Sequence, residues 1–432
     1  MKKLQVVYNG WGERWPLGLL ADVGNTIAFE YDTAAVARGL ELSPIHHPLP
    51  RSGAVPVTHT GQSAFHGLPG FVADALPDGW GMLLMDRALR RAGREPATVS
   101  VLERLAIVGD RAIGALSFEP ALEDQTAQVE LSLKDIAKRI AELQQGKAWS
   151  EKDAPDGLQQ LLRLGGSPQG ARPKVLANFN ARTGVISTGE VPTGAATPWL
   201  IKFPAEREHK EVCALEELYA RVARAAGHDM PKSRLFDLGA RYSAFGVERF
   251  DRAVVKGKQG NKSLIRIPVM SLSAMLQADH RMPSLDYETV LMATLRITGS
   301  QPELLKAFER CVLNVLLHNR DDHSRNFAFR LDAQGYWKLA PVFDLTFSDG
   351  PGGEHSTSVL GHGKGITRGH LLGLAKRCGV TQNAAQLAID QLTKATQALL
   401  RRAKDLPIRA ASLKRLSQSV AQQSELLNKS EN

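Results

Sequence analysis

Cysteine is scarce. Cys213, Cys311 and Cys378 are the only three in 432 residues, far apart and odd in number. A disulfide framework is therefore excluded, no zinc-ligand spacing exists, and each thiol reads as a small buried apolar side chain. No apolar run approaches the length of a membrane span. The opening Met1-Lys2-Lys3-Leu4-Gln5-Val6 lacks the apolar stretch and cleavage site of a secretory signal, so a cytoplasmic protein without membrane contact is expected. Internal repeats and long low-complexity tracts are missing. G-x-S-x-G and H-E-x-x-H are absent, which leaves a serine hydrolase or zincin without support, and G-x-x-x-x-G-K-[ST] is absent, which argues against a P-loop ATPase. His46-His47 and the group His355, His362 and His370 lack metal-ligand spacing and read as loop histidines.

What is present is the balance of a folded, water-compatible chain, 43% hydrophobic and 23% charged, long enough for two or three domains or one two-lobed enzyme. The net charge of +9 favours polyanions such as nucleotide phosphates, nucleic acid or an acidic partner. The arginines are scattered, however, and no run of five basic residues marks a nucleic-acid stripe.

Periodicity divides the chain into thirds. Residues 4–8 alternate as a strand and Asn9-Gly10 turns; 27–31 is a second strand, 49–70 a loop, and a helix carrying Leu83, Leu84 and Leu89 follows. A polar stretch at 119–128 reads as a linker. The middle third offers a helix at 131–143, strands at 175–179, 198–204 and 243–250, and a helix over 208–226 with Val212, Leu215, Tyr219 and Val222 on one face. The last third is helical, notably 303–318 with Leu304, Leu305, Phe308, Cys311, Val312, Val315 and Leu316 at helical spacing. One hairpin interrupts it, turning at Asp332-Ala333-Gln334-Gly335.

The chemistry concentrates where that helix meets the hairpin. Asn319-Arg320-Asp321-Asp322-His323-Ser324-Arg325-Asn326 is followed, after the hairpin, by Pro341-Val342-Phe343-Asp344. Phosphoryl transfer needs one carboxylate to orient or accept the proton of an attacking hydroxyl, and an Asn and a second Asp to hold the metal that neutralises the phosphates. Protein kinases space these as D-x-x-x-x-N with the second Asp beyond a short hairpin. Asp321 and Asn326 have that spacing and Asp344 stands at the second Asp; Asp322, a rival base, is four residues from the Asn. Taken singly, each of these would read as a polar residue of a surface loop.

A kinase also needs cations for the phosphates. Lys202 lies inside the apolar Trp199-Leu200-Ile201-Lys202-Phe203-Pro204. A buried ammonium requires an anionic partner, and Glu216 on the next helix suits it, with Glu217 or Glu211 as alternatives of register. Taken alone, Lys202 also admits the reading of an edge-strand lysine reaching water. Leu164-Gly165-Gly166-Ser167-Pro168-Gln169-Gly170-Ala171-Arg172-Pro173-Lys174 suits a phosphate cover, because backbone N–H groups at glycines such as Gly170 can approach phosphate oxygens and Lys174 can add charge.

These segments together resemble the HipA family of toxin–antitoxin kinases over nearly the whole chain. The most specific pieces are Ile201-Lys202-Phe203-Pro204, Val247-Glu248-Arg249-Phe250-Asp251-Arg252, the D-x-H-x-x-N-F match Asp321 to Phe327, and Phe343-Asp344. The runs Leu76-Pro77-Asp78 and Gly109-Asp110-Arg111-Ala112-Ile113-Gly114 are similar to the family's N-terminal subdomain. The resemblance implies Asp321 as catalytic base, His323 as a catalytic-loop support or nucleotide contact, and Asn326 and Asp344 as metal ligands. It further implies Lys202 as phosphate clamp, with Glu248 and Phe250 giving backbone contacts to adenine. It makes Ser167 the autophosphorylated serine of a loop whose ejection switches the kinase off. The loop here reads Gly170-Ala171-Arg172, where some members have Gly-Ala-Gln.

The implied architecture is α+β and protein-kinase-like. Residues 1–120 would form a β-rich N-terminal subdomain, 121–250 a β-rich kinase lobe and 251–432 an all-helical lobe apart from the hairpin, with ATP between the lobes. The implied activity is ATP- and Mg2+-dependent serine/threonine phosphorylation by a toxin. Its protein substrate would be a translation enzyme such as an aminoacyl-tRNA synthetase, its antitoxin a helix-turn-helix protein, and operator DNA would be reached through the antitoxin complex. Two other readings compete: a small-molecule kinase, against which the β-rich first third weighs, and a non-catalytic corepressor, against which the complete Lys202, Asp321, Asn326 and Asp344 set weighs.

Overall fold

The computed structural model describes residues 1–24, 26–50, 57–59, 63–122, 130–146, 157–165, 168–187, 192, 194–256, 262–282 and 285–428. The chain forms two compact units. One comprises Met1–Lys210 and Arg234–Met270, the other Glu211–Ser233 and Ser271–Asn432.

The first unit holds a five-stranded sheet, a six-stranded sheet and a two-stranded pair, Arg252–Lys256 with Lys262–Arg266. Strands β1 (Lys3–Tyr8), β2 (Trp15–Val23), β3 (Thr26–Tyr31), β4 (Val57–His59) and β5 (Leu116–Glu119) form a five-stranded sheet in the order β4-β3-β2-β1-β5. Strand β2 is central yet escapes the sequence reading, because Pro16 and Gly18 break its alternation. Its proline sits opposite Val7, where the β1–β2 register shifts, so the lost N–H donor falls at an irregularity of the ladder. Gly18 is forced by crowding, since a Cβ there would meet the Glu30 carbonyl oxygen at 2.3 Å. The Val57–His59 strand likewise lies in a stretch read as loop. The Gly79–Arg91 helix buries Trp80, Leu84 and Leu89 and leaves Leu83 outward. The Val101–Val108 helix begins with a Ser100–Glu103 capping box.

The second sheet has six strands. They are β6 (Glu130–Leu131), β7 (Lys174–Phe179), β8 (Ile186–Ser187), β9 (Thr197–Lys202), β10 (Ser233–Asp237) and β11 (Ser243–Glu248), in the order β10-β11-β9-β7-β8-β6. Val175, Phe179, Ile201 and Ala244 fill its buried side.

A charged junction joins two motifs that are remote in sequence. Asp251, 4% exposed, accepts from Arg249, from Arg252 and, across 137 positions, from the Gly114 N–H at 2.9 Å. Arg252 in turn donates to the carbonyls of Gly114 and Ala112. Burial alone would raise the Asp251 carboxyl, but the two guanidiniums and the Gly114 amide hold it far below the ordinary carboxylate range.

The second unit is mainly helical. The Gln301–Leu316 helix, capped by Ser300, packs on the Tyr287–Thr298, Gln382–Gln397 and Ala410–Asn428 helices. It buries Leu304, Phe308, Cys311, Val312, Val315 and Leu316, as its periodicity predicts, with Leu305 only half-buried. Of the stripe expected on the Val212–Ala225 helix, Tyr219 and Val222 are buried and Val212 and Leu215 half-buried; Cys213, Leu218, Ala220 and both Glu216 and Glu217 are buried as well. The expected hairpin pairs Ala328–Leu331 with Trp337–Leu339.

Candidate active site

The end of the Gln301–Leu316 helix delivers the acidic loop. After Leu317 the chain turns at His318, which takes φ +54°, and then lays down Asn319 to Asn326. Burial and the nearby Arg320 lower the pKa of His318 to about 4, so its ring is neutral near pH 7 and stacks on Phe347 at 5.1 Å.

Two adjacent carboxylates have opposite environments. Asp322 is fully buried: Oδ2 accepts from the Tyr287 hydroxyl at 2.8 Å and lies 2.8 Å from His355 Nδ1, and Oδ1 accepts from the Thr357 N–H at 3.2 Å. The network continues from Tyr287 to Asn314 and Asn319. Asp321 instead has a side chain 59% exposed, with Oδ1 at 3.9 Å from His323 Nε2. Asn326, five residues on, donates from Nδ2 to the Asp321 carbonyl at 2.6 Å and so closes the loop. That bond leaves its amide oxygen as the atom available to a cation. His323 Nδ1 accepts from the Arg325 N–H at 3.3 Å, which turns Nε2 toward Asp321. The His323 ring also meets His280 edge-on at 5.6 Å, a neighbour the sequence reading did not identify.

Beyond the hairpin, a crevice lined by Asn314, Asn319, Asn326, Phe327, Val342 and Phe343 brings the end of the loop alongside the run that ends in Asp344. Asp344 itself takes φ +53°, a conformation costly for a non-glycine residue and found where the surroundings over-determine the backbone. Its carboxylate and the Asn326 amide oxygen are hard oxygen donors of the kind that suit magnesium, so the donor set fits that ion.

The remaining candidates lie in the first unit, except Glu216. Lys202 ends β9, 7% exposed, directly opposite Lys174 on β7, 5% exposed. Like charges face to face disfavour a sheet unless anions answer them. Lys174 Nζ also donates to the Gln169 carbonyl. The following turn is docked on the Leu76-Pro77-Asp78 run: Gly170 N–H donates to Asp78, Trp80 N–H donates to the Gly170 carbonyl at 3.1 Å, and Gln169 Nε2 donates to the Asp74 carbonyl at 2.8 Å. Glu248 ends β11 half-buried, and Phe250 follows, also half-buried. Ser167 lies outside the described residues. In the second unit, Glu217 accepts from Arg221 and Ser233, and Glu211 from Arg409 and Ser412; Glu216 is buried at 3% exposure.

Comparison with known proteins identifies the architecture. A family model described as HipA-like C-terminal domain matches residues 166–400, more than half of the chain, and one described as HipA N-terminal domain matches residues 5–119. The chain belongs to the HipA family. Its fold is that of HipA from Shewanella oneidensis MR-1, solved with HipB and operator DNA. The TM-score is 0.72 at 18% identity, over 98% of this chain and 97% of that one. The α+β, kinase-like architecture expected from the sequence is thereby found. A serine/threonine-protein kinase toxin HipA of Shewanella oneidensis is 24% identical over 317 residues, covering 69% of this chain and 67% of that protein. A putative kinase of Haemophilus influenzae is 25% identical over 148 residues, 33% of this chain; the match spans only 43% of that protein. Among the described residues no helix is long and apolar enough to cross a membrane.

Proposed function

We propose that this HipA-family chain is a serine/threonine protein kinase, dependent on ATP and magnesium, that acts as the toxin of a toxin–antitoxin pair. The observation that carries the reading is the contrast within the catalytic loop: Asp322 is buried and occupied, while Asp321 is exposed, backed by His323 and tied to Asn326 through its own carbonyl. This supports Asp321, rather than its neighbour, as the base that orients and receives the proton of an attacking hydroxyl. Asn326 and Asp344 would hold magnesium, whose charge offsets that of the phosphates. His323 keeps Asp321 aimed. Lys202 and Lys174, with the Gly170 turn, supply cationic and N–H groups for phosphate oxygens, with Glu216 as the acid of the clamp. The main chain at Glu248 and Phe250 serves the adenine edge. Ser167 is the proposed autophosphorylation site.

The partners proposed are a protein substrate such as a translation enzyme, a helix-turn-helix antitoxin, and operator DNA through that antitoxin. The Shewanella relative, solved with HipB and its operator, supports the last two, and the net charge of +9 is compatible with them.

The deciding experiment incubates the purified chain with γ-labelled ATP and magnesium, beside Asp321→Ala and Ser167→Ala. Label on the wild type and on neither variant supports the kinase and its modified serine. Label persisting on Ser167→Ala keeps the kinase and moves the site. Folded wild type that neither binds nucleotide nor transfers label removes the kinase reading and favours a corepressor.

A further inference from the structure

The segment after Asp344, residues 345–363, is bound to the catalytic loop by groups that the kinase chemistry itself does not use. At its start, the Ser348 N–H donates to the His318 carbonyl at 3.1 Å, and the Arg320 N–H donates to the Ser348 carbonyl at 3.3 Å. The Arg320 guanidinium then reaches the carbonyls of Asp349 and Gly353. The Arg320 carbonyl accepts from both the N–H and the hydroxyl of Ser356, each at 3.0 Å. Asp322 takes the Thr357 N–H and His355, and its carbonyl accepts from the Thr357 hydroxyl. Ser358 donates to Asp286 at 2.6 Å, and Leu285–Asp286 pairs with Thr357–Ser358 as parallel strands. The fit is close: Gly350, at φ +72°, could carry no side chain, because a Cβ there would meet the Glu354 carbonyl oxygen at 1.9 Å and Arg320 Cβ at 2.7 Å.

In kinases controlled through this segment, a phosphate added to it is captured by arginines and orders it. Here Nη1 of the arginine beside the catalytic aspartate already donates to main-chain carbonyls, and its Nε is buried without a hydrogen-bond partner. The three hydroxyls at Ser356, Thr357 and Ser358 all donate, to the carbonyls of Arg320 and Asp322 and to the Asp286 carboxylate. A phosphate on any of them would lose that donor and set a dianion against oxygen atoms. We propose that residues 345–363 are a substrate platform locked onto the catalytic loop by Arg320 and Asp322 in the unphosphorylated chain, so that catalytic competence does not wait on phosphorylation of the segment. Arg320 and Asp322 are positioning residues in this scheme, which rests on the kinase reading above.

The test uses the full chain after phosphatase treatment, with intact mass confirming that no phosphate remains. Hydrogen exchange is followed for the amides of Ser348, Ser356 and Thr357 in wild type, Arg320→Ala and the milder Asp322→Asn. The lock predicts protection in the wild type and exchange about tenfold faster or more in both variants, the loss expected when one or two anchoring hydrogen bonds are removed. Unprotected amides in the unphosphorylated wild type, or wild-type protection in Arg320→Ala, overturn the proposal. Label transfer from ATP should be at least as fast after phosphatase treatment as before; transfer that requires phosphate on Ser356, Thr357 or Ser358 overturns it too. Asp321→Asn separates the two readings: transfer persisting in that variant removes Asp321 as base and leaves the exchange result standing.

Discussion

Lys174 and Lys202 stand directly opposite each other on neighbouring strands, both nearly buried. Two ammonium groups in that position suit the proposed phosphate site, where a polyphosphate would offset both charges. Replacing Lys202 by Met removes one of these two cations. ATP-dependent label transfer should fall by about two orders of magnitude. A transfer assay with γ-labelled ATP checks this; unchanged transfer would remove Lys202 from the phosphate site.

Asp321 and Asp322 should separate activity from stability. Asp321→Ala removes an exposed carboxylate, so stability should stay within about 0.5 kcal/mol while transfer falls about 10²–10⁴-fold. Asp322→Ala leaves the Tyr287 hydroxyl, the Thr357 N–H and His355 without their buried acceptor and should cost about 3 kcal/mol of stability. Urea midpoints of the two variants give the comparison.

Glu211 should contribute to acid sensitivity. Burial alone would raise its carboxyl, but the Arg409 guanidinium and N–H and the Ser412 hydroxyl outweigh burial and bring it from 4.5 to about 2. A depressed folded value stabilises above the unfolded value and is lost as pH falls through the folded one. The stability gap between wild type and Glu211→Gln should thus be full above about pH 4.5 and close toward about pH 2. Unfolding midpoints across that range measure it; a gap independent of pH would assign the effect to packing.

Gly79 should control the glycine-rich turn from outside it. At φ +39°, an added Cβ would meet the Gly170 carbonyl oxygen at 2.7 Å and Ala171 Cα at 2.8 Å. Gly79→Ala must push the turn away and break the Trp80 N–H bond to Gly170. Nucleotide affinity should weaken about tenfold, the scale of one such hydrogen bond, read by titration with a fluorescent ATP analogue. Unchanged affinity would detach this turn from nucleotide binding.

The geometry of the loop from Asp321 to Asn326 was legible because its information is local. The D-x-x-x-x-N interval is short, and in space it is closed by one hydrogen bond from Asn326 to the Asp321 carbonyl. The helix before it announces itself by apolar spacing, and the hairpin after it by alternation and a turn. Strand β2 was not legible, since a proline in a central strand is tolerated only at the irregularity that β1 supplies. His355 reads from its sequence as a loop histidine, because it lies 33 positions from Asp322 and nothing in its neighbours signals a buried carboxylate.

The sequence alone determined which chemical groups exist and in what order: the acids, the Asn, the lysine in an apolar strand, the glycine-rich turn, and through them the family. Only the tertiary structure decided which of two adjacent aspartates meets water, that Arg320 donates to carbonyls, and that Asp251 is answered by an amide 137 positions away. The physical reason is that residue type and spacing are properties of the chain. Burial and hydrogen-bond partnership arise only when distant segments exclude water together.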